Sequence, residues 1–292
     1  MSATRTPAER VKSGIRCLLP LTARKRLAIW LHRQKWLGPN RSSWWAQELV
    51  RDLADKNINE YHKFLWSHHL SYAAPYEVAS RFGEEKMKES RRLFFADLKS
   101  HLAALSVDCE SQVRSAFEVG SSLGFQLRYV ETDVFPAAVE LAGIDIDAHA
   151  IHSGTGYLRR IGSNVRLECA DMEKLDQALG TKRYDVMLCS GVLMYLSEDS
   201  AARLIDSMLK HTGIMLACAG LAHPEKDNSA LEHSETRKRD HTFIHNLDLM
   251  ISNAGGQIVA RRWEGARLVA GQTIYFVFAG PRGSLQQRSC AS

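Results

Sequence analysis

Two glycines four residues apart follow an apolar run in RSAFEVGSSLG, with one acid just ahead of them: Glu118, Gly120 and Gly124. Glycine turns a chain sharply without a Cβ clash and brings backbone amides close to a ligand. A helix beginning near Leu123 would add its N-terminus, which favours a carboxylate or phosphate. The dinucleotide pattern GxGxxG is not met, because Ser122 and Phe125 stand where it needs glycine. That argues against an NAD protein. Two further acids close apolar runs downstream, Asp145 in AGIDID and Asp171 in ECADM. Local uses compete for this region: Asp147 is better placed than Asp145 to cap the helix DAHAIHSG, and Asp171 is placed to cap MEKLDQAL. Histidine is the residue type suited to moving a proton near neutral pH. Four of them, His223, His233, His241 and His245, fall within AHPEKDNSALEHSETRKRDHTFIHNLDLM. Arg237, Lys238 and Arg239 in that stretch are either an anion clamp or a solvated charge run. The segment YHKFLWSHHLSYAAPYE is dense in Tyr61, Phe64, Trp66, His68, His69, Tyr72 and Tyr76. It reads as the core of a helical region or as a second place to hold a small molecule.

The elements that must position these residues divide near residue 110. Before it the pattern is helical. Met87, Phe94, Leu98, Leu102 and Leu105 share one helix face, and SSWWAQELVRDLADKN and the aromatic segment also read as helices. After it, seven short strand candidates alternate with helices: RSAFEVG, AVELAGID, NVRLECAD, YDVMLCSG, GIMLACAG, GQIVARRWEG and QTIYFVFAG. Alternation implies parallel pairing through right-handed crossovers. Only the last two have a connection short enough for a hairpin. The expected fold is therefore a doubly wound, seven-stranded, mostly parallel α/β sheet with its last strand antiparallel, preceded by a helical N-terminal cap. The expected boundaries are a basic segment 1–41, a helical cap 42–110, a ligand-binding domain 111–282 and a tail 283–292.

Composition narrows the class. The chain has 292 residues, 45% apolar and 24% charged, which suits a buried core. No apolar stretch approaches the ~20 residues that cross a bilayer, so a soluble chain is expected. Six scattered cysteines show neither CxxC nor Cys/His spacing, which excludes a zinc site and a disulfide scaffold. With no secretory leader read at the start, the cytoplasm is the expected compartment. Net charge is +5, but residues 1–41 hold ten basic residues against Glu9, leaving 5 − 9 = −4 for residues 42–292. The segment TARKRLAIWLHRQKWLG mixes Leu27, Trp30, Leu31 and Leu37 with its charges. It reads either as an interfacial helix meeting an anionic surface or as a helix packed on its own domain.

The order Glu118-x-Gly120-x-x-x-Gly124, Asp145, Asp171 and YDVMLCSGVLMYLSED resembles the motif series of class I S-adenosylmethionine-dependent methyltransferases, over residues 113–280. Ser122 departs from the glycine common at the middle of the first motif. The resemblance implies S-adenosyl-L-methionine as cofactor, with Asp145 on the ribose hydroxyls, Asp171 and Met172 at the adenine, and Ser190, Gly191 and Tyr195 lining the site. It also implies that the connection after the fifth strand passes over the acceptor, making His241 or His245 the candidate proton acceptor. The two are four apart and would share a face of a helix beginning near 241. No [DN]PP[YF] or Pro-Cys follows the fourth strand, which argues against amino methylation of adenine or glutamine and against cytosine C5 chemistry. Asp227, Asn228 and Glu198 are poorly spaced for a metal-assisted reaction. The expected acceptor is a small molecule bearing a hydroxyl. The alternatives are an RNA- or ribosome-modifying enzyme and a non-catalytic partner protein that keeps the fold.

Overall fold

Proline at position 20 starts the first helix: its fixed φ suits a helix entrance, and its missing N–H costs nothing there. The computed structural model describes residues 19–34, 39–71, 87–238, 240–269 and 272–281. Helix α1 (Leu21–His32) is followed by α2 (Pro39–Val50), α3 (Asp52–Lys56) and α4 (Ile58–Ser67). The Asn57 side chain caps α4 by accepting from the Glu60 N–H at 3.0 Å. The chain falls into two units, 1–77 and 78–292.

The first unit has its own core of Ala28, Ala46, Leu49, Val50, Leu53, Phe64, Leu65 and neighbours. Helix α1 joins α2–α4 in that core, so the expected boundary at residue 41 does not separate them. One buried cation ties the helices together. Arg24 engages both carboxylate oxygens of Asp52 and donates to the Leu49 carbonyl at 2.8 Å. Its guanidinium holds the Asp52 carboxyl below the usual carboxylate range. A depressed folded-state pKa contributes stability that is present above the unfolded value near 3.8 and lost as pH falls through the folded value. Asp52→Asn is therefore expected to cost about 1–2 kcal/mol at pH 7, with the gap closing once pH drops below about 4. Guanidinium unfolding followed by tryptophan emission checks this, because five of the six tryptophans lie between residues 30 and 66. A gap that stays constant from neutral to acid pH would remove the Asp52 charge from this account.

The second unit opens with α5 (Glu89–Ala104) and then alternates: β1 (Ser115–Val119), α6 (Phe125–Tyr129), β2 (Glu140–Asp145), α7 (Ala148–Arg160), β3 (Arg166–Cys169), α8 (Leu175–Leu179), β4 (Tyr184–Ser190), α9 (Glu198–His211) and β5 (Thr212–Gly220). A short ribbon, β6 (Glu235–Arg237) and β7 (Thr242–Ile244), precedes α10 (Leu247–Asn253), β8 (Gly256–Val269) and β9 (Gln272–Pro281). The main sheet runs β3-β2-β1-β4-β5-β9-β8, with β1–β5 parallel and β9 antiparallel to both its neighbours. This is the expected seven-stranded α/β arrangement with its last strand reversed.

Strand residues alternate between two cores, as side chains on a pleat must. Phe117, Val119, Met187, Cys189, Leu216 and Cys218 face Leu204, Ile205, Met208 and Ile251 of α9 and α10. Ala116, Val186, Leu188, Met215 and Ala217 face Phe94, Leu98, Leu102, Leu127 and Leu158 of α5–α7. Helix α5 thus belongs to the sheet and not to a separate cap, against the expected boundary at 110. Phe94 packs its ring 5.1 Å from Phe276 and 5.6 Å from Phe278. Cys189 and Cys218 are buried as small hydrophobes, and burial pushes the Cys218 thiol up to about 12. Cys169, at the end of an outer strand, is exposed. Among the described residues no helix is long and apolar enough to cross a membrane.

Candidate functional site

Strand order reverses between β1 and β4, so the crevice beyond their carboxyl ends is where this architecture holds ligands. The turn leaving β1 is built for close approach. Gly120 has φ +77°, and a Cβ there would lie 2.2 Å from Cγ2 of Val192, on the loop after β4. Gly124 has φ +79° and leads into α6. Between them Ser122, at the position where the resembled family commonly has glycine, also adopts φ +50°. That left-handed conformation costs an L-residue roughly 1–2 kcal/mol, so tertiary contacts must hold it.

Those contacts come from the next strand. The N–H groups of Gly120 and Ser121 both donate to the Ile144 carbonyl, at 2.8 and 2.9 Å. Asp145 takes the Ser122 N–H on Oδ2 at 2.8 Å and the Asp147 N–H on Oδ1 at 2.9 Å. Burial raises the Asp145 pKa, against the pull of those donors. The Ala170 N–H donates to the Asp145 carbonyl at 3.0 Å, which ties the end of β3 to the end of β2. Glu118, Gly120, Gly124, Asp145 and Asp171 are thereby brought to one edge of the sheet. Asp147 caps α7, accepting from His149 and Ala150 N–H at 3.0 Å each. Asp171 caps the turn Met172–Lys174 by accepting from Glu173 N–H at 3.1 Å, and Met172 packs at the margin of the core.

Glu118 is 1% exposed. Its Oε1 accepts from Gln126 Nε2 at 2.7 Å, while Oε2 has no hydrogen-bond partner. Burial pushes this carboxyl up to about 8, against the attraction of the Arg91 cation, which itself lies 4.7 Å from the Phe125 ring centre. Gln126 Oε1 and Ser121 Oγ are likewise buried without a hydrogen-bond partner. Leaving a buried polar group unsatisfied costs about 1–3 kcal/mol. Three such atoms, on β1, on the turn after it and on α6, match a ligand that brings its own polar groups, and a cationic one would favour the ionised Glu118. The sequence pointed to Glu118 but not to Gln126 or Ser121, since glutamine and serine carry no signal until burial removes their water.

On the β4 side, Ser190 is half-buried opposite Ala219 of β5. Gly191 follows at φ +70° with no atom within 4 Å of where a Cβ would stand, so it borders open space. Asp185 lies at the far end of the sheet, where it accepts from Arg114 and Ser115 N–H at 2.7 and 3.0 Å. It is a structural tie.

The histidine stretch departs most from expectation. No helix begins near 241: Thr242, Phe243 and Ile244 pair with Glu235–Arg237 as an antiparallel ribbon, and the helix starts only after Asn246, whose side chain accepts from Leu249 N–H. The physical reason is the β-branched and aromatic run, which favours a pleated strand. His241 sits in the ribbon turn at φ +58°, so it and His245 do not share a helix face. His245 is 3% exposed. Its Nε2 meets the Leu193 carbonyl at 3.0 Å and its Nδ1 meets Ser234 Oγ at 2.7 Å. A carbonyl only accepts, so Nε2 carries the proton and Nδ1 takes the Ser234 hydroxyl. Burial lowers its pKa and keeps the ring neutral. His245 thus braces the turn Leu193–Tyr195 beside the crevice.

His223 Nδ1 accepts from the N–H groups of Glu225 and Lys226, and His233 is exposed near Glu198. Arg237 pairs with Asp240, Lys238 is exposed, and Arg239 lies outside the described residues. Asn228, fully buried, holds this connection together. It donates to the Leu221 and His245 carbonyls and accepts from His223 N–H and Trp263 Nε1. Among the described residues no group of three or more His, Cys, Asp or Glu is placed to hold a metal ion. In the aromatic segment, Tyr61 and Phe64 are core residues of the first unit; Tyr72 and Tyr76 lie outside the described residues.

Residues 120–257 match the family model of a methyltransferase domain. No curated protein matches the chain significantly in sequence. Among solved structures, an S-adenosylmethionine-dependent methyltransferase from Clostridium acetobutylicum superposes with a TM-score of 0.50 at 8% identity, covering 70% of this chain and 97% of its own. Magnesium protoporphyrin IX methyltransferase from Synechocystis, solved with bound SAH, gives 0.49 at 12% identity, covering 80% and 99%. Such likenesses speak to the fold alone.

Proposed function

Because residues 120–257 match a methyltransferase domain and lie in a seven-stranded sheet with its last strand reversed, we propose that the chain binds S-adenosylmethionine at the carboxyl edge of β1–β4 and methylates a hydroxyl of a small molecule. One observation carries the binding half: the partnerless Oε2 of Glu118, enclosed beside the turn that Asp145 ties down. Bound there, the cofactor supplies a methyl group on an already activated leaving group, so the protein's work is chiefly positioning.

In this reading Glu118 and Gln126 offer acceptors to the cofactor's ammonium. Asp145 keeps lone pairs for two ribose hydroxyls after taking its two backbone N–H bonds, since a carboxylate has about four acceptor sites. Asp171 and Met172 border the adenine, while Ser190 and Gly191 leave room at the side where an acceptor enters. The proposed acceptor of the hydroxyl proton is His241, on the connection that follows β5. The support for His241 is that β7, which follows its turn, packs against Leu193–Tyr195 at the crevice. The net charge of −4 over residues 42–292 supports a small acceptor over a nucleic acid.

Calorimetry with S-adenosylhomocysteine tests the binding half directly. A dissociation constant in the micromolar range, about −8 kcal/mol, is expected. A flat isotherm at millimolar ligand with folded protein would overturn the reading.

A further inference from the structure

The ten basic residues of segment 1–41 are not equivalent once folded. Two of the described ones are used internally. Arg24 is buried on Asp52, and Lys25 pairs with Glu60 at 2.6 Å and lies over the Phe64 ring. Ala28 of the same helix is buried in the core of the first unit, and Leu27 and Leu31 pack against it. What α1 leaves outside is one stripe. Thr22, Arg26, Trp30 and Arg33 are spaced four, four and three apart, the spacing of a single helix face, and all four are exposed. Trp30 is 54% exposed and Leu19, just ahead of the helix, 36%. Helix α2 packs against α1 and exposes Arg41 and, at 44%, Trp44.

An indole flanked by arginines on a helix surface suits a lipid–water boundary. The ring body enters the acyl edge, its N–H stays at headgroup level, and the cations meet anionic headgroups. We propose that the first unit docks on anionic membrane surfaces through the Arg26–Trp30–Arg33 stripe of α1. Charge complementarity selects the partner: with +9 in residues 1–41 against −4 in the remainder, the chain's net positive charge lies at this end. A polynucleotide would also meet arginine and tryptophan, but the exposed Leu19 offers it nothing, and residues 42–292 carry a net negative charge. This inference stands apart from the methyl-transfer reading, since none of the proposed cofactor residues lies in the first unit.

The test is co-sedimentation of the full-length chain with vesicles of phosphatidylcholine alone or mixed with phosphatidylglycerol. Binding only to the mixed vesicles is expected, weakening as salt is raised to ~0.5 M. Each basic side chain at such a surface changes partitioning roughly fivefold, so Arg26→Glu with Arg33→Glu should lower it at least about tenfold. Trp30→Ala should weaken binding and shrink the blue shift of tryptophan emission on vesicle addition. All three positions are exposed, and circular dichroism confirms that the variants keep the fold. Equal sedimentation with both vesicle types, native-like binding by the double charge reversal, or capture of a single-stranded oligonucleotide with vesicles ignored would each overturn the proposal.

Discussion

Gly154→Ala is expected to destabilise the second unit by about 2–3 kcal/mol, although alanine is the better helix former by about 1 kcal/mol. A Cβ on Gly154, in α7, would stand 2.3 Å from the Leu123 carbonyl oxygen, 2.7 Å from its carbon and 2.8 Å from its Cα. All three are backbone atoms, which no rotamer change moves aside. Either α7 or the turn Ser122–Gly124 must shift by roughly an ångström, and backbone shifts of this kind cost about 1–3 kcal/mol or more in a packed interior. Gly156, two residues on in the same helix, has nothing within 4 Å of a built Cβ. There the helix preference acts alone, and Gly156→Ala should stabilise by about 0.5–1 kcal/mol. Thermal unfolding followed by circular dichroism compares the pair. Because the shift would pull Ser122 N–H from Asp145, Gly154→Ala should also weaken S-adenosylhomocysteine binding at least about tenfold. If both alanine variants stabilise alike, the close approach of α7 to the turn is not what holds it.

Asp145→Asn should lower affinity for S-adenosylhomocysteine by about 2–4 kcal/mol, or roughly 30- to 1,000-fold. Both carboxylate oxygens of Asp145 accept backbone N–H groups, from Ser122 and from Asp147. An amide supplies only one oxygen, so one of those donors would face an NH2 group and lose its partner. The proposed ribose hydroxyls lose a charged acceptor as well, and charge-assisted bonds are about twice as strong as neutral ones. Asp147→Asn is the control. It removes the neighbouring charge but leaves a side chain equally able to cap α7, so affinity should change little. The reverse ranking, with Asp147→Asn the damaging change, would move the ribose contact from one aspartate to the other.

What the sequence determined by itself is local and periodic. The alternation of apolar runs with helical patterns specified seven strands and the short final hairpin, because the period of burial is a property of neighbouring residues. The acid–glycine series at 118–124 and the acids 145 and 171 were legible too, since strand ends and turns restrict which residues fit. Tertiary structure alone decided the rest. Helix α5 reads like the helices before it, yet joins the sheet because Phe94 meets Phe276 and Phe278, more than 180 residues away. The basic residues of α1 look alike in sequence, and only folding buries Arg24 while leaving Arg26 and Arg33 outside. His245 looks like a candidate base until the Leu193 carbonyl, 52 residues distant, accepts a hydrogen bond from its Nε2–H. Gln126 and Ser121 acquire meaning only when enclosure strips them of water. Local pattern sets which face of an element is apolar; the charge, protonation and reactivity of a side chain depend on partners that only the folded chain brings near.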